Sequence, residues 1–168
     1  LILIENNDLE KILPSELITT YNSFLKNKSE SLEFHPSDPS DTAVIIYTSG
    51  TTGDPKGAEL THSNLGWNAN LTGDLFEFNK EDIVLTVLPL FHIYGQSCLM
   101  NASIFKGLTN ILVSRFDPNL VLNEIKKNKV TVFAGVPTMF WSLCNIHKVE
   151  KNRFYKSQNK SWRIAISG

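Results

Sequence analysis

Apolar residues along the chain fall into short runs separated by polar stretches marked with Gly, Pro, Asn or Asp, and the runs alternate in type. Residues 1–4 (Leu-Ile-Leu-Ile) read as a strand, and residues 14–27 as a helix entered at Pro14 and running through Tyr21, Phe24 and Leu25. Residues 29–41 are rich in Ser, Pro and Asp and form a connector, with His35 solvated in it. Residues 42–47 are an apolar run that stops abruptly, and residues 58–61 read as extended. A helix then starts at Thr61 or Ser63, either of which can cap it, and continues through Leu65, Trp67 and Leu71, with His62 at the junction. Residues 83–88 (Ile-Val-Leu-Thr-Val-Leu) are the nearly continuous apolar run expected of a strand covered on both faces.

From there the alternation is regular. A helix over 96–105 ends at Gly107, a strand covers 110–114, and Pro118 opens a helix over 119–128 with Leu122 and Ile125 inward. A strand at 130–133, a helix from Pro137 to about 147, a basic connector at 148–160 and a strand at 163–167 complete the series. Strand–helix–strand units at this spacing predict an α/β fold: a layered, mainly parallel sheet with flanking helices. Residues 1–40 are expected to form an N-terminal strand, helix and connector, and residues 41–168 the α/β domain. Ligands of such sheets bind beyond the carboxyl ends of the strands. Residues 47–57, residues 89–95 and Gly168 all follow strands of that kind in this reading.

Composition narrows the class without naming a chemistry. The 168 residues are 42% hydrophobic and 20% charged, as in ordinary globular proteins. A net charge of −1 gives no general attraction to nucleic acid or an anionic membrane. No apolar run reaches the length of a membrane span and no signal peptide is visible. Cys98 and Cys144, the two cysteines, lie in apolar helical stretches and read as buried thiols, which places the protein in a reducing, cytoplasmic setting. The chain opens without Met in a strand and closes at the exit of another, so it is expected to be a fragment.

The chemistry concentrates at residues 47–57, Tyr-Thr-Ser-Gly-Thr-Thr-Gly-Asp-Pro-Lys-Gly. Gly50, Gly53 and Gly57 let backbone N–H groups approach a ligand, Thr48, Ser49, Thr51 and Thr52 supply hydroxyls, and Lys56 supplies a mobile positive charge. This is the make-up of a polyphosphate cradle. Equally, Asp-Pro-Lys-Gly is a turn signal, and the segment can simply close a hairpin between residues 44–48 and 58–61. A Walker loop is excluded, because Pro55 precedes Lys56 where that motif has Gly, and Gly57 follows where it has Ser or Thr. His92 lies on a proline-led turn between a strand and a helix, where a single His is as readily structural.

The 47–57 stretch, followed by Leu60-Thr-His-Ser-Asn-Leu65, resembles the adenylate-forming superfamily of acyl-CoA synthetases, 4-coumarate–CoA ligases, firefly luciferases and peptide-synthetase adenylation domains. Leu88-Pro-Leu-Phe-His-Ile-Tyr-Gly95 is similar to its second motif. Arg115-Phe-Asp-Pro118 with Val130-Thr-Val-Phe-Ala-Gly-Val-Pro-Thr138 resembles the fatty acyl-CoA synthetase branch, and Ile166-Ser-Gly168 the opening of the adenine-pocket segment. The resemblance covers residues 41–168 and implies part of the N-terminal domain of such an enzyme.

What it implies is a two-step reaction in which ATP, with Mg2+, activates a carboxylate as an acyl-adenylate and CoA then takes the acyl group. Thr48, Ser49, Gly50, Thr51, Thr52, Gly53 and Lys56 would bind the phosphates, with Lys56 and His92 catalytic. His92, Tyr94, Cys98 and Gly168 would face the acyl substrate, and Arg115 the CoA nucleotide. No residue is assigned to a metal. The partners implied are small molecules, with peripheral membrane association left open. The family's Thr-Glu segment, ribose-binding Asp and late catalytic Lys do not occur in these residues, so the chain alone is expected to be inactive. Other acids or acceptors, as in aryl-CoA ligases, luciferase-like oxygenases and carrier-protein loading domains, stay open, as does a non-catalytic nucleotide- or acyl-binding module.

Overall fold

A computed structural model describes residues 2–3, 19–20, 25–26, 31, 35–48, 53–149 and 161–168. The chain divides into two units, Leu1–Pro36 and Ser37–Gly168. In the first, β1 (Ile2–Leu3) pairs in parallel with β2 (Thr19–Thr20). The helix expected over 14–27 is therefore interrupted by extended backbone at Thr19 and Thr20. Two adjacent β-branched residues favour that conformation over a helical one. Most of the remaining expected helix lies outside the described residues.

The second unit begins with an antiparallel hairpin, β3 (Thr42–Thr48) and β4 (Lys56–Thr61), with a bulge between Thr42 and Val44. Thr61 ends β4 and also caps α1 (His62–Leu75): its hydroxyl accepts from the Asn64 N–H, and the Asn64 side chain accepts from the Thr61 N–H. That reciprocal box satisfies two N–H groups and leaves no slack between strand and helix.

Four parallel strands follow, in the order β6-β5-β7-β8: β5 (Ile83–Thr86), β6 (Thr109–Leu112), β7 (Val132–Gly135) and β8 (Ile164–Ser167). Between β5 and β6 runs a π-helical segment, Tyr94–Asn101, continuous with α2 (Ala102–Lys106). Gly107 then ends the helix in the left-handed region at φ 71°, as its sequence position predicts. The sequence pattern starts that helix at 96 and makes it an ordinary α-helix. The structure starts it two residues earlier and winds it wider.

α3 (Pro118–Asn128) is capped by Asp117, whose carboxylate accepts from the Leu120 N–H, with Pro118 opening the first turn. α4 (Pro137–Val149) precedes β8. Val84, Leu88, Val132 and Ala134 meet Leu99 and Ala102 on one face of the sheet. On the other face, Leu85, Val87 and Phe133 meet Val121 and Ile125 of α3 and Leu143 of α4. The chain reverses direction along the sheet after β6, and the helices change face with it, as same-handed crossovers require. The sheet is thus covered on both sides, which is why β5 and β7 read as unbroken apolar runs.

At the amino ends of the strands, Asp82 is buried and ties three of them together. It forms an ion pair with Arg163 before β8 and accepts a hydrogen bond from Thr131 before β7 at 2.7 Å and from the Asn79 N–H at 2.9 Å. Burial pushes the Asp82 carboxyl up, but Arg163, Asn79 and Thr131 outweigh it and hold it below its ordinary value of 3.8. Of the cysteines, Cys98 is half-buried and Cys144 is exposed on α4. The expectation of two buried thiols thus fails at Cys144, whose position on α4 turns it outward.

Candidate active site

The strands on either side of the glycine-rich stretch are β3 and β4 of the antiparallel hairpin and not members of the parallel sheet, so the strand-end placement expected for it is corrected. Residues 49–52, and with them Ser49, Gly50, Thr51 and Thr52, lie outside the described residues. The described flanks are informative. Thr48 and Lys56 pair directly across the hairpin, and the Thr48 hydroxyl donates to the Lys56 carbonyl at 3.4 Å. Directly opposed residues project from the same face, so the hydroxyl and the exposed ammonium share one side of the hairpin mouth. Gly53 adopts φ 93°, a conformation that a side chain disfavours.

His92 lies in the turn that leaves β5. Its N–H donates to the Pro89 carbonyl at 3.1 Å. Gly95 passes so close to that same carbonyl that a Cβ there would lie 2.4 Å from the oxygen, which fixes the residue type. The His92 Nδ1 accepts the Tyr94 N–H at 3.2 Å. In the neutral ring the proton therefore resides on Nε2, leaving an exposed side chain with one N–H donor.

Tyr94 reaches from this turn to the last strand. Its hydroxyl donates to the Ile166 carbonyl at 3.4 Å, and its ring lies against Gly168, where an added Cβ would come within 2.9 Å. The Gly168 N–H in turn donates to the Gly135 carbonyl at 3.2 Å. His92, Tyr94, Gly168 and the end of β7 are therefore brought together. They sit where the sheet changes direction between β5 and β7, the place at which open α/β sheets bind ligands.

Burial, then the neighbouring Cys98, raises the Tyr94 phenol above its usual range and keeps it protonated as a donor. Burial also raises the Cys98 thiol, with a hydrogen bond to Thr72 of α1 partly offsetting it. Cys98 thus adjoins Tyr94 and α1 together. Arg115 is exposed, three residues beyond β6, and so lies at the carboxyl edge of the sheet.

The hairpin reaches the same end of the sheet by way of α1. Along α1, Asn68, Thr72 and Asp74 meet Ser97, Cys98 and Lys106 in the same order. The two helical segments therefore run parallel, away from the carboxyl ends of the strands. The start of α1, where β4 ends, consequently lies beside the start of the π-helical segment, which follows His92. Sequence reasoning missed Asn68, Thr72 and Ser97 as neighbours of the site. Their only signal is a run of small and polar residues at helical spacing on α1.

A family model described as AMP-binding enzyme matches residues 4–168. A long-chain-fatty-acid–CoA ligase of Bacillus subtilis (strain 168) is 40% identical over 148 residues, which are 86% of this chain and 26% of that protein. A 4-coumarate–CoA ligase, number 4 of Arabidopsis thaliana, is 38% identical over 139 residues, 77% of this chain and 23% of that protein. The chain thus spans about a quarter of the length of these curated relatives. Among solved structures, O-succinylbenzoate coenzyme A synthetase (MenE) from Bacillus subtilis in complex with AMP matches at TM-score 0.78 and 31% identity, over 99% of this chain and 42% of that one. ATP-bound MatB from Rhodopseudomonas palustris matches at TM-score 0.72 and 33% identity, over 84% of this chain and 27% of that one.

Proposed function

The chain belongs to the AMP-binding enzyme family, and on that premise we propose that the whole protein is an ATP-dependent acid–CoA ligase. In this reading, residues 41–168 supply part of its nucleotide- and acyl-binding domain. The observation that carries it is the His92–Tyr94–Gly168 cluster at the carboxyl end of the sheet, with the foot of the hairpin that holds Thr48 and Lys56 joined to α1 at that same end.

In the first half-reaction an oxygen of the carboxylate attacks the α-phosphorus of ATP, the bond to the β-phosphate oxygen breaks, and pyrophosphate leaves. Both reactants are anionic, so the site must offset their repulsion and stabilise the departing charge. Thr48, Gly53 and Lys56, with Ser49, Gly50, Thr51 and Thr52 of the intervening turn, are assigned to the phosphates. The Nε2–H of His92 is assigned to orient an anionic oxygen of the carboxylate or phosphate. It is not a general base, since the carboxylate is already ionised at neutral pH. In the second half-reaction the CoA sulfur attacks the acyl carbon and AMP departs, with Arg115 assigned to the CoA nucleotide.

Magnesium is assigned as part of the nucleotide substrate. No cluster of three or more His, Cys, Asp or Glu forms among the described residues, so none of them is assigned to hold it.

We assign the acid to the hydrophobic class, with a fatty acid first. Tyr94, Cys98 and Gly168 present a half-buried phenol, a thiol and a bare backbone rather than charge. The relatives named as ligases of long-chain fatty acid, feruloyl and indoleacetate substrates share that character. A cytoplasmic setting, where ATP and CoA are plentiful, suits the exposed free thiol of Cys144. No described helix is long and apolar enough to cross a membrane.

The test is acid-dependent ATP–pyrophosphate exchange by the full protein across a panel of fatty and aryl acids, followed by the Lys56→Ala variant. A lost charge-assisted hydrogen bond of about 1.5–3 kcal/mol lowers exchange by roughly 10- to 100-fold. Exchange that is unchanged in Lys56→Ala would remove the hairpin from the chemistry. Nucleotide binding without exchange by any acid would favour a binding module.

A further inference from the structure

The two chemistry-bearing parts of the site are built on different scaffolds, an antiparallel hairpin and a parallel sheet, and something must set one against the other. The base of the hairpin is anchored to the first turn of α1. The His62 N–H donates to the Asp41 carbonyl at 3.1 Å, and the Ser63 N–H to the Pro39 carbonyl at 2.9 Å. Thr42 at the foot of β3 donates to the Glu59 carboxylate at 3.0 Å, and Thr61 joins β4 to α1 without an intervening residue. The foot of the hairpin is therefore fixed to the start of α1.

On its other side α1 is bolted to the helix that leaves His92. The hydroxyl of Ser97, itself 4% exposed, donates to the Asn68 side-chain oxygen, and Thr72, 7% exposed, lies beside Cys98. Farther along, Lys106 donates to Asp74 at 2.6 Å and to Asn70 at 2.9 Å, over a glycine, Gly73, whose Cβ would strike the lysine stem. The Gln96 N–H takes the His92 carbonyl at 3.0 Å, so His92 is held by the same helix. π-Helical winding brings the consecutive residues Ser97 and Cys98 to α1 together.

We propose that Asn68 and Ser97 are positioning residues, a polar bolt between α1 and the π-helical segment that sets His92 in register with the phosphate-binding hairpin. Neither touches substrate in this assignment. Their effect is on the distance between the group that orients the carboxylate and the loop that holds the phosphates. The proposal rests on the acid–CoA ligase reading. It predicts damage confined to the half-reaction in which both parts act on one transition state.

The experiment uses the full protein with Ser97→Ala, Asn68→Ala, the double variant and Ser97→Thr. Exchange in the wild type is measured first, since its absence overturns the ligase reading and this proposal with it. In the alanine variants, kcat for exchange is expected to fall about 10- to 100-fold, with KM for ATP and the melting temperature little changed. Thioester formation from supplied acyl-adenylate should be retained, and Ser97→Thr should restore exchange. The double variant should be no worse than either single one, because the two residues make one bond. Wild-type exchange rates in the alanine variants, an equal fall in both half-reactions, or strict additivity would each overturn the bolt while leaving the ligase reading intact. Should Ser97→Ala fail to fold, Asn68→Ala, altered at an exposed side chain, decides the matter.

Discussion

Asp82 shows how much one side chain can carry. Its carboxylate is held ionised by Arg163, the Asn79 N–H and Thr131, against the cost of burial. The folded-state pKa is thus depressed, so the stability it contributes is present above its ordinary value of 3.8 and disappears as pH falls through the folded value. Between about pH 5 and pH 2 the wild type should therefore lose stability more steeply than Asp82→Asn, measured as urea midpoints along a pH series. Equal slopes would show the pair to be neutral. Nothing local in the sequence announces this residue. Its partner lies 81 positions away, and only the strand order brings them together. By contrast, Thr61 and Gly107 were legible as caps, because a cap is decided within one turn of chain. Cys144 was misread because an apolar helix does not announce which of its faces is covered.

Most of the elements in the second unit were legible in the hydrophobic pattern, which alternates by layer, and their ends moved by two or so residues. Two features were not. The hairpin and the phosphate cradle stood as rival readings of residues 47–57, yet the described strands show the hairpin, and the hairpin's mouth presents Thr48 and Lys56 on one side. Turn chemistry and ligand chemistry draw on the same residue types, so the two readings are compatible. The π-helical winding of Tyr94–Asn101 was illegible, and its surroundings are tertiary: the Pro89 carbonyl leaves no room for a Cβ at Gly95, and Tyr94 reaches across to Ile166. Replacing Gly95 by Ala should therefore destabilise the protein by about 1–3 kcal/mol through overpacking against backbone, read from the urea midpoint. A midpoint unchanged from wild type would mean that the turn is free to yield.

At the scale of the whole molecule, the core is well formed around β5 and β7 but one flank is bare. Trp67, Leu71 and Leu75 recur along α1 at helical spacing and are exposed, as are Ile104 and Phe105 of α2. A shallow groove lined by Leu65, Gly66, Ala69, Asn101, Ile104 and Phe105 runs between the two helices. Exposed apolar surface of this kind promotes association. The 168-residue chain produced by itself should bind a hydrophobic dye and self-associate with rising concentration, which light scattering would follow. A monodisperse, dye-negative monomer would contradict this.

The order β6-β5-β7-β8 also bears on how the molecule comes into being. Among the four described strands of this sheet, β5 is the first to leave the ribosome and takes an inner position. β6 can dock on one side of it and β7 on the other, each within a few tens of residues, so assembly proceeds outward from a seed already in place. The Asp82–Arg163 pair closes last, across the longest span of chain among the described ion pairs. It acts as a latch across three of these four strands, so its removal should quicken unfolding and leave the speed of folding nearly untouched.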